Sequence, residues 1–233
     1  MTVLYAGVDL GGSTIAVALA ERSGIVVAEA ETPTHSHEGP AAVIKRIGQM
    51  IARLAAEAGV PPQAAGMGVP GLVDVSTGVT RFLPNLPTQW RDVSVADQLQ
   101  ADLGCPVYLL NDVRTATLGE LEFGHGRAAH DRLTMAFFSI GTGIGGGIVV
   151  EGKLRLGPLG AAGELGHQTL LPDGPRCGCG NRGCLEALAS GPAITAEGIR
   201  LMAMGLAPKL FEQGREHLTA PRGSCAGSGA PRS

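Results

Sequence analysis

The chain has 233 residues, of which 44% are hydrophobic, enough for one large domain or two modest lobes. Aromatic residues make up only 3%, the formal net charge is −3 and no dense Lys/Arg run occurs, so base-stacking platforms, nucleic-acid grooves and anionic membrane surfaces are not expected as partners. The opening Met1-Thr2-Val3-Leu4-Tyr5 shows no basic region or cleavage site, and no apolar run reaches spanning length, so a cytoplasmic protein is expected.

Residues 3–9 form an apolar run that ends in Asp9, and residues 14–20 and 25–30 read as two further strands split by a turn at Arg22-Ser23-Gly24. Residues 38–58 carry Val43, Ile47, Ile51, Leu54 and Ala58 at helical spacing, and Gly59 and Pro61 stop that helix. Gly66 to Val69 is a short buried strand leading into Pro70-Gly71. A loop with Pro84, Asn85, Pro87 and the single Trp90 follows, the Trp being expected to pack. Residues 94–103 predict a helix, 106–110 a strand running into Asn111-Asp112, and 113–122 another helix.

A strand over 133–140, a glycine-rich turn over Gly141 to Gly147 and a strand over 147–151 then repeat the opening strand–turn–strand pattern. This weak repeat predicts two similar α/β lobes, residues 1–112 and 113–218. Helical stretches run from about 185 to 217, with the Leu, Ile and Met residues of 185–210 expected on a core face. In residues 219–233, eight of fifteen are Gly, Pro or Ser, which predicts a disordered tail.

Four segments carry chemistry. Asp9-Leu10-Gly11-Gly12-Ser13-Thr14 offers glycine backbone N–H groups and two hydroxyls to a phosphate, with Asp9 as a candidate Mg²⁺ ligand; an ordinary hairpin turn fits the same residues. Gly141-Thr142-Gly143-Ile144-Gly145-Gly146-Gly147 repeats that logic, lacks the Gly-Lys-Ser/Thr of a P-loop and opens no helix, so neither a P-loop nor a dinucleotide fingerprint is expected. Asn111-Asp112 stands where a buried strand meets a helix, a place where open α/β sheets hold ligands. Asp112 there can accept a proton from a substrate hydroxyl or cap the helix. His167, Cys177, Cys179 and Cys184 follow the spacing His-x9-Cys-x-Cys-x4-Cys, dense enough for a closed structural zinc site, with the carboxylates Glu164 and Glu186 beside the ligands. Cys105 reads as a reduced core thiol, and the cysteine usage fits a reducing compartment.

Together these segments resemble the ROK family (repressors, open reading frames and sugar kinases). The resemblance covers residues 3 to about 200. It rests on Asp9-Leu10-Gly11-Gly12, Gly68-Val69-Pro70-Gly71-Leu72-Val73-Asp74, Leu83-Pro84-Asn85-Leu86, Asn111-Asp112, the glycine run 141–147 and Gly163 through Glu186. It implies the actin-like, ribonuclease-H-like fold of two α/β lobes, and ATP-dependent phosphorylation of a hexose, glucose in the first place. By the same resemblance Asp112 is the general base, and Asn85, Asn111, Glu164, His167 and Glu186 bind the sugar. Zn²⁺ sits on His167, Cys177, Cys179 and Cys184, and Gly11, Gly12, Ser13, Thr14, Gly141, Thr142, Gly143 and Gly145 hold phosphates with Asp9 at Mg²⁺. Homodimers or tetramers are common in the family.

Two departures stand out. Ser13-Thr14 stands where Thr-Lys is usual at the first turn, which keeps a hydroxyl and loses the basic side chain, and the resemblance fades after about residue 200, so the second lobe is expected to be incomplete and its adenosine-contacting part truncated. A sugar-binding protein without catalysis, either a regulator or an inactive remnant, is therefore the alternative expectation.

Overall fold

The computed structural model describes residues 2–158 and 160–219; of the residues 219–233 expected to form a tail, all but Thr219 lie outside it. The described chain forms two compact units, one running from residue 2 to 139 with 144–168 and the other of residues 140–143 with 169–219.

The first unit is built on β1 (Leu4–Leu10), β2 (Thr14–Glu21), β3 (Val26–Pro33), helix α1 (Pro40–Ala58) and β4 (Pro62–Val69). Three short strands follow: β5 (Leu72–Asp74), β6 (Val79–Phe82) and β7 (Val93–Ser94). Then come α2 (Val95–Leu103), β8 (Val107–Asn111) and α3 (Asp112–Glu122). The main sheet has the order β3-β2-β1-β4-β8. β1 pairs antiparallel with β2 and β2 with β3, whereas β4 is parallel to both β1 and β8. Alternation along β1 and β2 sends Leu4, Ala6, Val8, Leu10, Ile15, Val17 and Leu19 to one face, where they join Val43, Ile47, Ile51 and Leu54 of α1 and Leu99 of α2 in a single core. α1 starts with Pro40 in its first turn and ends at Gly59, whose φ of 71° is the left-handed cap that stops a helix. Trp90 is buried in the same core, as expected of a packing residue.

β5, β6 and β7 make a small separate antiparallel sheet, and β9 (Met135–Ile140), β10 (Ile144–Val150) and β11 (Lys153–Leu154) a third, in the order β11-β10-β9. One expectation is corrected here. The glycine run is a turn only over 141–143; Gly145, Gly146 and Gly147 are strand residues of β10. The reason is space on both sides of the strand. A Cβ at Gly145 would lie 2.5 Å from Val113 Cγ2 and one at Gly147 would lie 2.1 Å from Thr117 Oγ1, both on α3. A Cβ at Gly146, on the opposite face, would meet Leu165 Cγ at 2.7 Å and the Gly163 carbonyl at 2.8 Å. We expect Gly147→Val to destabilise the fold by about 2–4 kcal/mol through overpacking against Thr117. Urea unfolding checks this, and an unchanged midpoint would refute the packing account.

The second unit contains the 141–143 turn, a cysteine-rich knuckle, α4 (Leu185–Ala189), α5 (Gly191–Ala203) and α6 (Pro208–Thr219). The expectation that the apolar residues of 185–210 face a core is overturned. Ile194, Ile199, Met204, Leu206 and Leu210 are 44–64% exposed, and α5 has no buried residue. These helices carry apolar stripes that no described element covers. Among the described residues no helix is long and apolar enough to cross a membrane.

Candidate active site

The carboxyl ends of the parallel strands bring two acids into one cavity. Asp9, near the end of β1, and Asp112, the first residue of α3 after β8, line a space of about 380 Å³ with Val8, Gly68, Val113, Thr115, Ala116 and Ser139. Gly68 makes the close approach possible, since a Cβ there would sit 3.3 Å from the Asp112 Cα. The plainer role for Asp112 is taken by its neighbour. Asn111 caps α3 by accepting the Arg114 backbone N–H at 3.2 Å, and its amide donates to the Gly71 carbonyl at 3.2 Å. That leaves Asn111 one amide hydrogen and one lone pair for a ligand. Asp112 Oδ1 accepts the Val113 N–H at 2.8 Å.

Burial holds the Asp112 carboxyl above the usual carboxylate range; the Val113 N–H opposes this, and the nearby Asp9 charge adds to it. Burial likewise raises Asp9. Both raised groups bind their protons more tightly folded than unfolded. Their contribution to stability is therefore present below the ordinary carboxylate pKa and is lost as pH rises through the raised one. Replacing Asp9 by Asn removes a like charge and should bring the Asp112 pKa down. A ¹³C carboxyl titration reads this directly, and an Asp112 midpoint that stays put or rises in Asp9→Asn would refute the coupling.

The first glycine turn lies beside this cavity. Gly11 N–H donates to the Thr14 carbonyl at 2.9 Å, Thr34 N–H donates to the Ser13 carbonyl at 2.8 Å, and the Thr34 hydroxyl donates to the Gly11 carbonyl at 2.8 Å. Neither Gly11 nor Gly12 has a left-handed φ. Glycine is needed for room instead: a Cβ on Gly12 would press on the Asn85 carbonyl at 3.2 Å. Two expected site residues, Gly12 and Asn85, thus touch. The segment after Asn85 holds Thr88, Gln89, Trp90 and Asp92 at φ of 63°, 53°, 39° and 52°, a strained run costing about 1–3 kcal/mol per residue. The buried Trp90 Nε1 has no hydrogen-bond partner among the described residues.

Glu164 precedes and His167 closes a short 3-10 turn, Leu165–His167, with His167 Nε2 3.9 Å from Glu164 Oε2. The other Glu164 oxygen accepts from Arg114 Nη2 at 2.8 Å, and Arg114 Nε donates to the Ala162 carbonyl at 2.9 Å. Arg114 escaped the sequence reading. Its signal was position: with Thr117 and Leu121 it occupies the buried face of α3, where a charge needs a partner.

In the second unit the Gly141 N–H donates to the Gly143 carbonyl at 2.9 Å, and the Gly191 N–H at the start of α5 donates to the Gly141 carbonyl at 2.9 Å. Thr142 is exposed in this turn. Glu186, in α4, lies against it, for a Cβ on Gly143 would come 2.5 Å from Glu186 Oε2. The knuckle is shaped by Gly180 N–H donating to the Cys177 carbonyl at 3.0 Å and by Cys177 N–H donating to the Asn181 carbonyl at 2.8 Å. Gly183 has φ of 63° and no room for a Cβ, which would fall 1.6 Å from the Leu171 carbonyl. Cys179 and Cys184 sulfurs are 3.7 Å apart, and burial with the two neighbouring thiols pushes Cys184 up to about 12. In the second unit Cys177, Cys179 and Cys184 offer sulfurs within 4.8 Å of one another, and in the first unit His167 offers an imidazole. One imidazole and three thiols are the donor set of a closed structural zinc site.

Comparison with known proteins agrees with the pattern. The ROK family model matches residues 5–213. A glucokinase of Thermotoga maritima is 43% identical over 188 residues, 81% of this chain and 57% of that protein. A xylose repressor of Caldicellulosiruptor bescii is 32% identical over 203 residues, 86% of this chain and 50% of that protein. The crystal structure of a ROK family glucokinase from Streptomyces griseus in complex with glucose and AMPPNP superposes with a TM-score of 0.71 at 35% identity, covering 86% of this chain and 62% of that one. The fold is the actin-like one of these kinases, and the chain spans 57% of the length of that glucokinase and 50% of that repressor. Because the likeness runs from β1 into α6 and takes in the two acids, both glycine turns and the cysteine knuckle, the chain belongs to the ROK family.

Proposed function

We propose that this chain phosphorylates a hexose at the expense of ATP, with glucose the first candidate. The observation that carries the reading is the pair Asp9 and Asp112 in one cavity at the carboxyl ends of parallel strands. Family membership and the glucokinase relatives support it. Asp112 takes the proton of the attacking sugar hydroxyl onto its carboxylate. The hydroxyl oxygen bonds to the terminal phosphorus, the bond from that phosphorus to the bridging oxygen breaks, and ADP leaves. The Gly12 N–H and the hydroxyls of Ser13 and Thr14 are assigned to phosphate oxygens, as are Thr142 and Gly143 of the second turn, whereas Gly11 and Gly141 shape those turns, their N–H groups being held by the Thr14 and Gly143 carbonyls. Packing by α3 occupies the side of Gly145, which gives that glycine a structural reason as well. Asp9, an exposed carboxylate that lines the cavity, would hold Mg²⁺, which when bound neutralises charge on the phosphates.

Asn85, Asn111, Glu164, His167 and Glu186 are assigned to sugar hydroxyls, since acceptors and donors fixed in place penalise any sugar that leaves them unpaired. Zinc on His167, Cys177, Cys179 and Cys184 is proposed as a closed structural site that presents Glu164 and His167 and takes no part in the chemistry. Cysteine usage, with three of the five cysteines grouped in one knuckle, supports a reducing, cytoplasmic setting.

The similarity to a xylose repressor favours one second reading, sugar binding without turnover. Calorimetry and coupled ADP release with glucose, mannose, fructose, xylose and N-acetylmannosamine separate the two. Sugar-dependent ADP formation supports the kinase, and binding without ADP supports the repressor-like reading. No heat with any sugar refutes both.

A further inference from the structure

Arg114 is 2% exposed, yet its guanidinium is not a casual ion-pair partner. It joins two pieces of chain separated by 48 and 50 residues, donating through Nε to the Ala162 carbonyl at 2.9 Å and through Nη2 to Glu164 Oε1 at 2.8 Å. Two bonds from one planar fork fix an orientation as well as a distance, which a lysine cannot reproduce. The Glu164 side chain is 48% exposed, so the interaction leaves part of the carboxylate open. With Oε1 taken by Arg114, Oε2 is turned toward His167 Nε2, 3.9 Å away. Arg114 also stands two residues after Asp112 on the same helix, and its charge draws the Asp112 pKa downward, against the effect of burial. The helix that carries the expected base therefore clamps the loop that carries the expected sugar acceptor.

Resting on the reading of the site as a hexose site, we propose that Arg114 is its positioning residue, fixing the plane of the Glu164 carboxylate so that Oε2 accepts a sugar hydroxyl, and setting the loop 162–164 in register with Asp112. Glu164 held this way contacts the sugar in ground and transition states alike. Loss of the clamp should weaken binding more than turnover.

The test uses the full chain and glucose. Arg114→Lys keeps the charge and removes the fork. Its glucose Kd and KM are expected to rise about tenfold or more, with kcat falling less than about threefold. Glu164→Gln should weaken glucose by a similar factor, and the double variant Arg114→Lys/Glu164→Gln no further than the worse single one, because both act through one carboxylate. Independent losses that multiply in the double variant would overturn the proposal, as would an Arg114→Lys Kd within twofold of the parent. Should Arg114→Lys not fold, the parent chain still decides. Glucose should shift the Arg114 side-chain ¹⁵N resonances in the parent and not in Glu164→Ala, a change at a half-exposed position; no shift in a parent that binds glucose overturns the clamp. A parent that binds no hexose removes the site reading itself, and this inference with it.

Discussion

Asp112→Asn is expected to lower kcat by about 10²–10⁴-fold, the range general-base catalysis supplies, while hexose affinity measured by calorimetry stays within a few fold of the parent. The argument runs from placement. Asn111 satisfies the cap of α3, so the fold does not need the Asp112 carboxylate to begin that helix. The carboxylate faces a cavity it shares with Asp9, where burial and like charge make its ionised form uncomfortable. An amide of the same shape relieves that discomfort. The variant should therefore be at least as stable as the parent at neutral pH, and this advantage should shrink as pH falls into the carboxylate range, where the parent acid becomes neutral too. Full turnover in Asp112→Asn would reject the base assignment. A folded, sugar-binding, inactive variant separates chemistry from binding in a single protein.

Removing zinc should have the second large effect. Structural zinc contributes about 10–16 kcal/mol of apparent binding free energy in small zinc domains at neutral pH, more than the net stability of most domains. The knuckle gives reason to expect that scale here. Its turns are held by the Gly180-to-Cys177 and Cys177-to-Asn181 bonds, and α4 begins immediately after Cys184. A strong chelator, or Cys184→Ser, should release one zinc per chain by elemental analysis and abolish cooperative melting of the knuckle and α4. Because His167 follows Glu164 by one short turn, hexose binding should fall as well, by tenfold or more where an oriented ligand is lost. The less buried Cys179→Ser should act in the same direction and less completely. A chain that carries no zinc when expressed in zinc-replete medium would refute the metal assignment.

The sequence made the main sheet legible because β1, β2 and α1 carry strong periods of two and of 3.6, and those patterns report which face is buried. It did not reveal β5, β6 and β7, since strands of two to four residues are too short to show a period. Gly145 to Gly147 were misread as turn because glycine carries no hydropathy signal, and only the presence of Val113, Thr117 and Leu165 around them explains the run. Ile194, Ile199 and Leu210 show a different limit: amphipathicity tells which side of a helix seeks cover, not whether cover is present. For the candidate site, Asp9, Asp112 and the knuckle were readable from local spacing, whereas Arg114 was not. A single arginine in a helix usually reads as solvated, and its true partner lies 50 residues away.

The side-chain-free stretch of β10 has a mechanical consequence. Val113 and Thr117 rest on one surface of Gly145 and Gly147, while Gly163 and Leu165 rest on the other surface at Gly146. One layer of polypeptide backbone is all that separates the α3 helix from the 163–165 loop at this point. Side chains can absorb a small displacement by changing rotamer, and a bare ribbon cannot. A sub-ångström shift of either surface is thus expected to reach the other nearly undamped, making the ribbon a stiff partition between the α3 helix and the 163–165 loop.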